Sequence, residues 1–208
     1  MLQTRAIFFV NWFVNYLAHA YLSFEDPEVL AGNMISDFVK GKKKFEYAPR
    51  ILEGIDLHRA IDAFTDEHEV TKEAGKLFKP VYGLYSLAFM DVVYDHFLAV
   101  ELAARGNDFF KDFVAASYDK ISRFENILPQ AFKNMFPYMK QQNWLFNYQY
   151  ALGISKSFGG LVHRARYLSE SDSAFVIFEE NYDTFREAYN NFFPDMLNFS
   201  LKKFADIH

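Results

Sequence analysis

Apolar residues recur at spacings of three and four along nearly the whole chain, and polar residues gather in stripes rather than alternating, so the dominant signal is helical. The pattern predicts helices over roughly 12–24, 28–40, 49–75, 81–104, 108–127, 129–140, 145–165 and 171–203. The breaks fall at Pro27, Pro49, Pro80, Gly106, Pro129 and Ser169-Glu170, and Pro194 is expected to kink or divide the last helix. Gly41 after Lys40 reads as a helix stop with a basic last turn.

Two stretches carry polar residues where a purely apolar face would be expected. In the first, Asn11, Asn15, His19 and Ser23 recur every fourth residue along an otherwise apolar helix. Arg5 and Ala18-His19-Ala20 superficially fit a secretory signal, but a signal core has no use for such a stripe, and an inward-facing polar site is the better reading. In the second, Val81 to Val100 is long enough to span a bilayer, yet Asp91, Asp95 and His96 sit near its middle. Two central aspartates cost roughly 5–7 kcal/mol on insertion scales, which favours a buried helix of a non-membrane, cytoplasmic protein.

Composition narrows the class further. A length of 208 residues, about half of them apolar, suits one domain with a sizeable core; the 9 glycines and 6 prolines favour long helices over many turns. There is no repeat or linker to suggest a second domain. The absence of cysteine excludes disulfides and thiolate ligands, leaving His, Asp and Glu for any metal site. Such ligands suit manganese, magnesium, iron or zinc. A net charge of −5 gives no reason to expect nucleic acid as a partner.

The candidate chemistry lies on four predicted helices. Asp91 and Asp95 are one turn, about 6 Å, apart on one face, with no Lys or Arg between Lys79 and Arg105 to balance them. Like charges at that spacing repel, and burial sharpens the cost, so a shared divalent cation is the preferred reading over a solvated stripe. His58 and Asp62, four residues apart, project from one face beside Arg59, whose guanidinium is suited to phosphate oxygens. Asp37 lies among Met34, Ile35, Phe38 and Val39, and His19 lies on the first stripe. At least three side chains of the set Asp37, His58, Asp62, Asp91, Asp95 and His96 are expected to converge on one ion between packed helices.

Read in order, these residues resemble a known family. Asn15-Tyr-Leu-Ala-His19, Gly32-Asn33 with Asp37-Phe-Val-Lys-Gly41, His58-Arg59 with Ile61-Asp62 and Thr65-Asp66, and Asp91-Val with Asp95-His96-Phe-Leu98 are similar to the acyl carrier protein phosphodiesterases. The stretch from Gln142-Asn-Trp144-Leu to Gly159-Gly160-Leu-Val-His-Arg164 resembles them less distinctively. The resemblance implies an all-α, single-domain multi-helix bundle distantly like the HD-type phosphohydrolases. Residues 1–14 would be an N-terminal extension and 15–208 the domain. The implied reaction is hydrolysis of the phosphodiester between phosphopantetheine and a serine of holo acyl carrier protein, with a divalent metal, typically manganese. His58, Asp62, Asp91, Asp95 and His96 are then the expected metal ligands. Asp37, Arg59 and His19 are the expected catalytic groups, and His19, His58 or His68 the candidates for protonating the leaving serine oxygen. Lys40, Lys42, Lys43, Lys44 and Arg164 would meet the acidic carrier. Two alternatives share the pattern: an HD-like hydrolase of a nucleotide or other small phosphodiester, and a non-catalytic helical interaction protein whose acids are structural.

Overall fold

The computed structural model describes residues 16–206 except Arg166, and the backbone but not the side chain of Arg164. The expected extension over 1–14, with Asn11, Asn15 and any carrier contact by Arg164, lies outside the described residues. The described chain is all helical, with no strand.

The helices are α1 (Tyr16–Tyr21), α2 (Pro27–Ile35), α3 (Pro49–Glu67), α4 (Glu69–Gly75), α5 (Lys79–Tyr82), α6 (Ser86–Arg105), α7 (Asn107–Ser122), α8 (Gln130–Gln141), α9 (Trp144–Asn147), α10 (Ala151–Arg164), α11 (Asp172–Glu180) and α12 (Tyr182–Ala205). The most apolar of the long helices is α6, whose Phe89, Met90, Val92, Val93, Leu98 and Leu102 are almost wholly buried. It packs against α1, α4, α7, α10 and α12 and so forms the centre of the bundle. Phe78 stacks on Phe89 and on Phe185 at ring separations of 5.3 and 5.2 Å, joining the α4–α5 connection to α6 and α12. No helix among the described residues is long and apolar enough to cross a membrane.

The pair that positions the site is α2 with α3, the most extensively packed in the molecule. Asp26 caps α2 by accepting from the amides of Glu28 (3.0 Å) and Val29 (2.9 Å), and Pro27 fills the first helical position. Arg50, in the first turn of α3, donates from Nε and Nη2 to the other Asp26 oxygen at 3.0 Å, tying the two helix starts together. Beyond that tie the helices touch backbone to backbone. A Cβ on Gly32 would stand 2.0 Å from the Ile51 carbonyl oxygen, and one on Gly54 would stand 2.3 Å from that of Val29. Only glycine permits this approach.

Several boundaries differ from those the periodicity predicts. Helix α2 ends at Ile35; Ser36–Phe38 and Gly41–Glu46 are separate 3₁₀ turns, the second opened by Gly41 at φ 58°. Asp37 and the lysines therefore lie on a folded connection rather than on a helix end. The segment 49–75 divides at His68, whose extended backbone (ψ 130°) lets its ring pack between Phe64 and Phe192. The segment 145–165 divides between α9 and α10, and 171–203 divides at Asn181. Pro194 does not divide α12, because Phe192, Phe193 and Met196 on either side of it are buried and hold the helix through the missing donor.

Gly32→Ala forces the α2–α3 crossing apart against backbone that has no rotamer to yield. The expected loss is about 3 kcal/mol or more, a fall in Tm of about 10 °C in a chain of this size, read by thermal melts. An unchanged Tm would show that the crossing is not needed for stability.

Candidate metal centre

The α2–α3 crossing brings the Asn33 carbonyl to 2.7 Å from His58 Nδ1. A carbonyl only accepts, so His58 carries a proton on Nδ1 and points Nε2 the other way. There Nε2 meets two carboxylates, Asp37 Oδ1 at 3.2 Å and Asp62 Oδ2 at 3.1 Å. The i,i+4 spacing on α3 explains Asp62; the 3₁₀ turn after α2 explains Asp37.

The second imidazole comes from α1. The His19 ring stacks on that of His58 with centroids 3.9 Å apart and 14° between planes, and its Nε2 lies 3.3 Å from Asp62 Oδ1. Asn33 holds this residue too: its amide donates to the His19 carbonyl (3.0 Å) and to the Ser23 hydroxyl oxygen (3.1 Å), while Ser23 Oγ donates to the same carbonyl (2.7 Å). One buried residue of α2 thus organises both histidines. The Gly32-Asn33 pair was legible as a motif, but its role as the organiser of the two rings was not.

Ligating atoms of His19, His58 and Asp62 all lie within 4.8 Å of one another. The Asp62 side chain is 40 % exposed against 0 % for His19, 5 % for His58 and 14 % for Asp37, so the group opens to solvent on the Asp62 side. Neither nitrogen of the buried His19 ring has a hydrogen-bond partner. Burial and then the charge of His58 lower the His19 pKa, leaving a neutral imidazole with a free lone pair. Burial alone would lower His58 as well, but the charges of Asp62 and Asp37 outweigh it and hold His58 well above 6.5. Asp62 is held far below the usual range: burial would raise it, and His58 and His19 overcome that. A neutral imidazole that makes no aligned hydrogen bond and lies 3.3 Å from Asp62, a second imidazole aimed by a backbone carbonyl, and paired carboxylates make a donor set that fits a divalent cation.

Asp91 belongs to the same electrostatic neighbourhood. Burial, then the charges of Asp62, Asp66, Asp95 and Asp37, raise its pKa well above the ordinary value. Asp95 and His96 depart from the expected ligand set. Asp95 is fully buried and turns to α1, accepting from the amides of Leu17 (3.0 Å) and Ala18 (2.8 Å). Both nitrogens of His96 are engaged elsewhere, Nδ1 with the Tyr148 carbonyl (2.8 Å) and Nε2 with the Tyr182 hydroxyl (2.9 Å), in an aromatic nest with Phe97 and Phe178. Adjacent residues on one helix point some 100° apart, which is why the His96 that follows Asp95 leaves the site. His68 also lies outside the imidazole pair, with its Nε2 3.5 Å from Asp195 on α12.

Arg59 is exposed and donates to the Val39 carbonyl at 3.0 Å, which lays it along the segment that follows Asp37. Lys40, Lys42 and Lys43 are exposed, whereas Lys44 pairs with Asp56 at 2.6 Å. Phe45, 65 % exposed, stands beside them. The stretch from Gln142 to Gly160 encloses a cavity of about 380 Å³ lined by Trp144, Tyr148, Tyr150, Leu152 and Lys156, which the sequence pattern did not reveal.

The family model for acyl carrier protein phosphodiesterase matches residues 14–196. Relatives named acyl carrier protein phosphodiesterase include one from Yersinia pestis, 30 % identical over 185 residues (88 % of this chain, 96 % of the relative). One from Salmonella dublin is 29 % identical over 191 residues (91 % and 99 %). No solved structure matches the chain. The class is thus an all-helical phosphodiesterase family. The chain belongs to the acyl carrier protein phosphodiesterase family.

Two outcomes test the centre. Added manganese is expected to raise the Tm of the full chain, and His19→Ala or Asp62→Ala to abolish that rise; a rise that survives both changes would place the ion elsewhere. The metal-free protein has a pH signature as well. Because the folded pKa of His58 is raised, its contribution to stability is complete below about 6.5 and is lost as pH climbs through the raised value. His19, whose folded pKa is lowered, adds no pH dependence above 6.5. In chelator, Tm is therefore expected to fall above pH 6.5, and less steeply in His58→Gln. Manganese affinity should rise over the same range, because the ion must displace the proton. Parallel melting profiles for the two proteins would contradict the assignment.

Proposed function

We propose that the chain hydrolyses the phosphodiester linking phosphopantetheine to a serine of holo acyl carrier protein, releasing apo carrier and phosphopantetheine, with manganese at the centre. The observation that carries this reading is the buried His19 ring, without an aligned hydrogen bond, stacked on His58 and within 3.3 Å of Asp62, in a chain of this family. The fold is read as distantly HD-like, residues 15–208 as its domain, and the cytoplasm as its place of action.

His19, His58 and Asp62 hold the ion; Asp91, whose carboxyl burial and the neighbouring aspartates keep toward the neutral form, lies in the same electrostatic neighbourhood. When bound, the metal neutralises phosphate charge and acidifies a water. His19 thus moves from the catalytic groups expected of it to the metal holders. Asp37, 14 % exposed and 3.2 Å from His58 Nε2 without the ion, is released when that nitrogen takes the ion and then accepts a proton from an attacking water. Arg59, extended beside the Asp37 segment, holds the non-bridging phosphate oxygens. Lys42 and Lys43, with Lys40 and the exposed Phe45, form the basic edge that docks an acidic carrier; Lys44 contributes less, being paired with Asp56.

Incubation of holo acyl carrier protein with the full chain and manganese is expected to yield apo carrier by intact mass. Asp37→Ala and Asp62→Ala should each lower the rate at least about 100-fold. Persistence of holo carrier under all metal conditions, with cleavage of a small phosphodiester such as bis(p-nitrophenyl) phosphate, would move the substrate to a small molecule. Lys42→Glu with Lys43→Glu is expected to raise KM for holo carrier, more at low salt, and to leave the small phosphodiester untouched. Equal losses on both substrates would place these lysines in the site rather than at the docking edge.

A further inference from the structure

The residue that departs most from its expected role is Asp95. It is wholly buried, a costly place for a carboxylate, and yet every bond it makes serves another element. Its oxygens accept the amides of Leu17 and Ala18 in α1, and the Tyr148 hydroxyl, just past the end of α9, donates to the same carboxylate. Six residues of α1 are described. Asp95 thus takes two successive backbone donors of α1. At the other end, the Asn33 amide and the Ser23 hydroxyl hold the His19 carbonyl. His19 directly follows Ala18, so the bond at Ala18 fixes the backbone from which that imidazole projects.

We propose that Asp95 is a positioning residue of the metal centre: it clamps α1 to α6 so that His19 lies over His58 and reaches Asp62, with Tyr148 holding the clamp in turn. The inference rests on reading His19 as a metal-holding group. Asp95 acts one residue away from the ligand, through backbone, rather than by touching the ion.

The test uses full-length Asp95→Ala, Asp95→Asn and Tyr148→Phe, with manganese affinity read by electron paramagnetic resonance and amide exchange read along α1 and α3. Asp95→Ala is expected to weaken manganese about 10–100-fold, the range typical of groups that orient a ligand. It should also speed exchange at Leu17 and Ala18 while leaving α3 unchanged. Asp95→Asn, which keeps one acceptor oxygen, should fall between this variant and the wild type, and is the deciding variant if Asp95→Ala does not fold. Tyr148→Phe should shift both readouts in the same direction but less. Unaltered manganese affinity in the folded variant would overturn the proposal, as would faster exchange spread equally over α3. Loss of affinity without faster exchange at Leu17 and Ala18 would mean that Asp95 binds the ion directly. His19→Ala is the control: if it leaves affinity unchanged, the metal reading itself fails, whatever Asp95 does.

Discussion

The crossing of α2 and α3 at Gly32 and Gly54 is the constraint on which the site depends. Two helices held apart by side chains would leave the Asn33 carbonyl out of reach of the His58 ring; with hydrogen at both contact positions it comes to 2.7 Å. That bond chooses the tautomer, and the tautomer aims Nε2 at Asp37 and Asp62. The Asp26–Arg50 tie fixes the crossing at the helix starts, so packing and ligand orientation are set by the same few residues.

Charge gives the centre its chemistry. Asp37 and Asp62 flank a single imidazolium, and Asp91 nearby is raised well above its ordinary pKa by burial and then by the charges of the neighbouring aspartates. His19, neutral and without a hydrogen-bond partner, offers nothing to offset this except a lone pair. A divalent cation answers both deficits at once, the excess of negative charge and the unused donor. The group opens to solvent on the Asp62 side, and the exposed lysines after Asp37 lie on the connection that leaves that same group.

Helical class and most breaks were legible because periodicity, proline and glycine act locally. His58 with Asp62 was legible for the same reason, since i,i+4 spacing fixes a shared face wherever the helix lies. Asp91 and Asp95 share a face too, yet part company: Asp95 meets α1 and takes the amides of Leu17 and Ala18, while Asp91 lies among the other carboxylates. His96 was drawn in by its neighbour and is claimed by Tyr148 and Tyr182, residues 52 and 86 positions away that no local pattern identifies. Pro194 failed as a breaker because tertiary burial of Phe192, Phe193 and Met196 outweighed its local cost. Asn33 stayed hidden because its function lies partly in a backbone carbonyl, which every residue possesses.

The central claim is that His19, His58 and Asp62 form one metal-binding group. Crystals of the full chain grown with manganese and measured at the metal's absorption edge test it most directly. An anomalous peak within bonding distance of His19 Nε2, His58 Nε2 and an Asp62 oxygen is the predicted result. A fully loaded ion held away from His19, or an occupied group in which His58 keeps its bond to Asp37 and touches no metal, would contradict it.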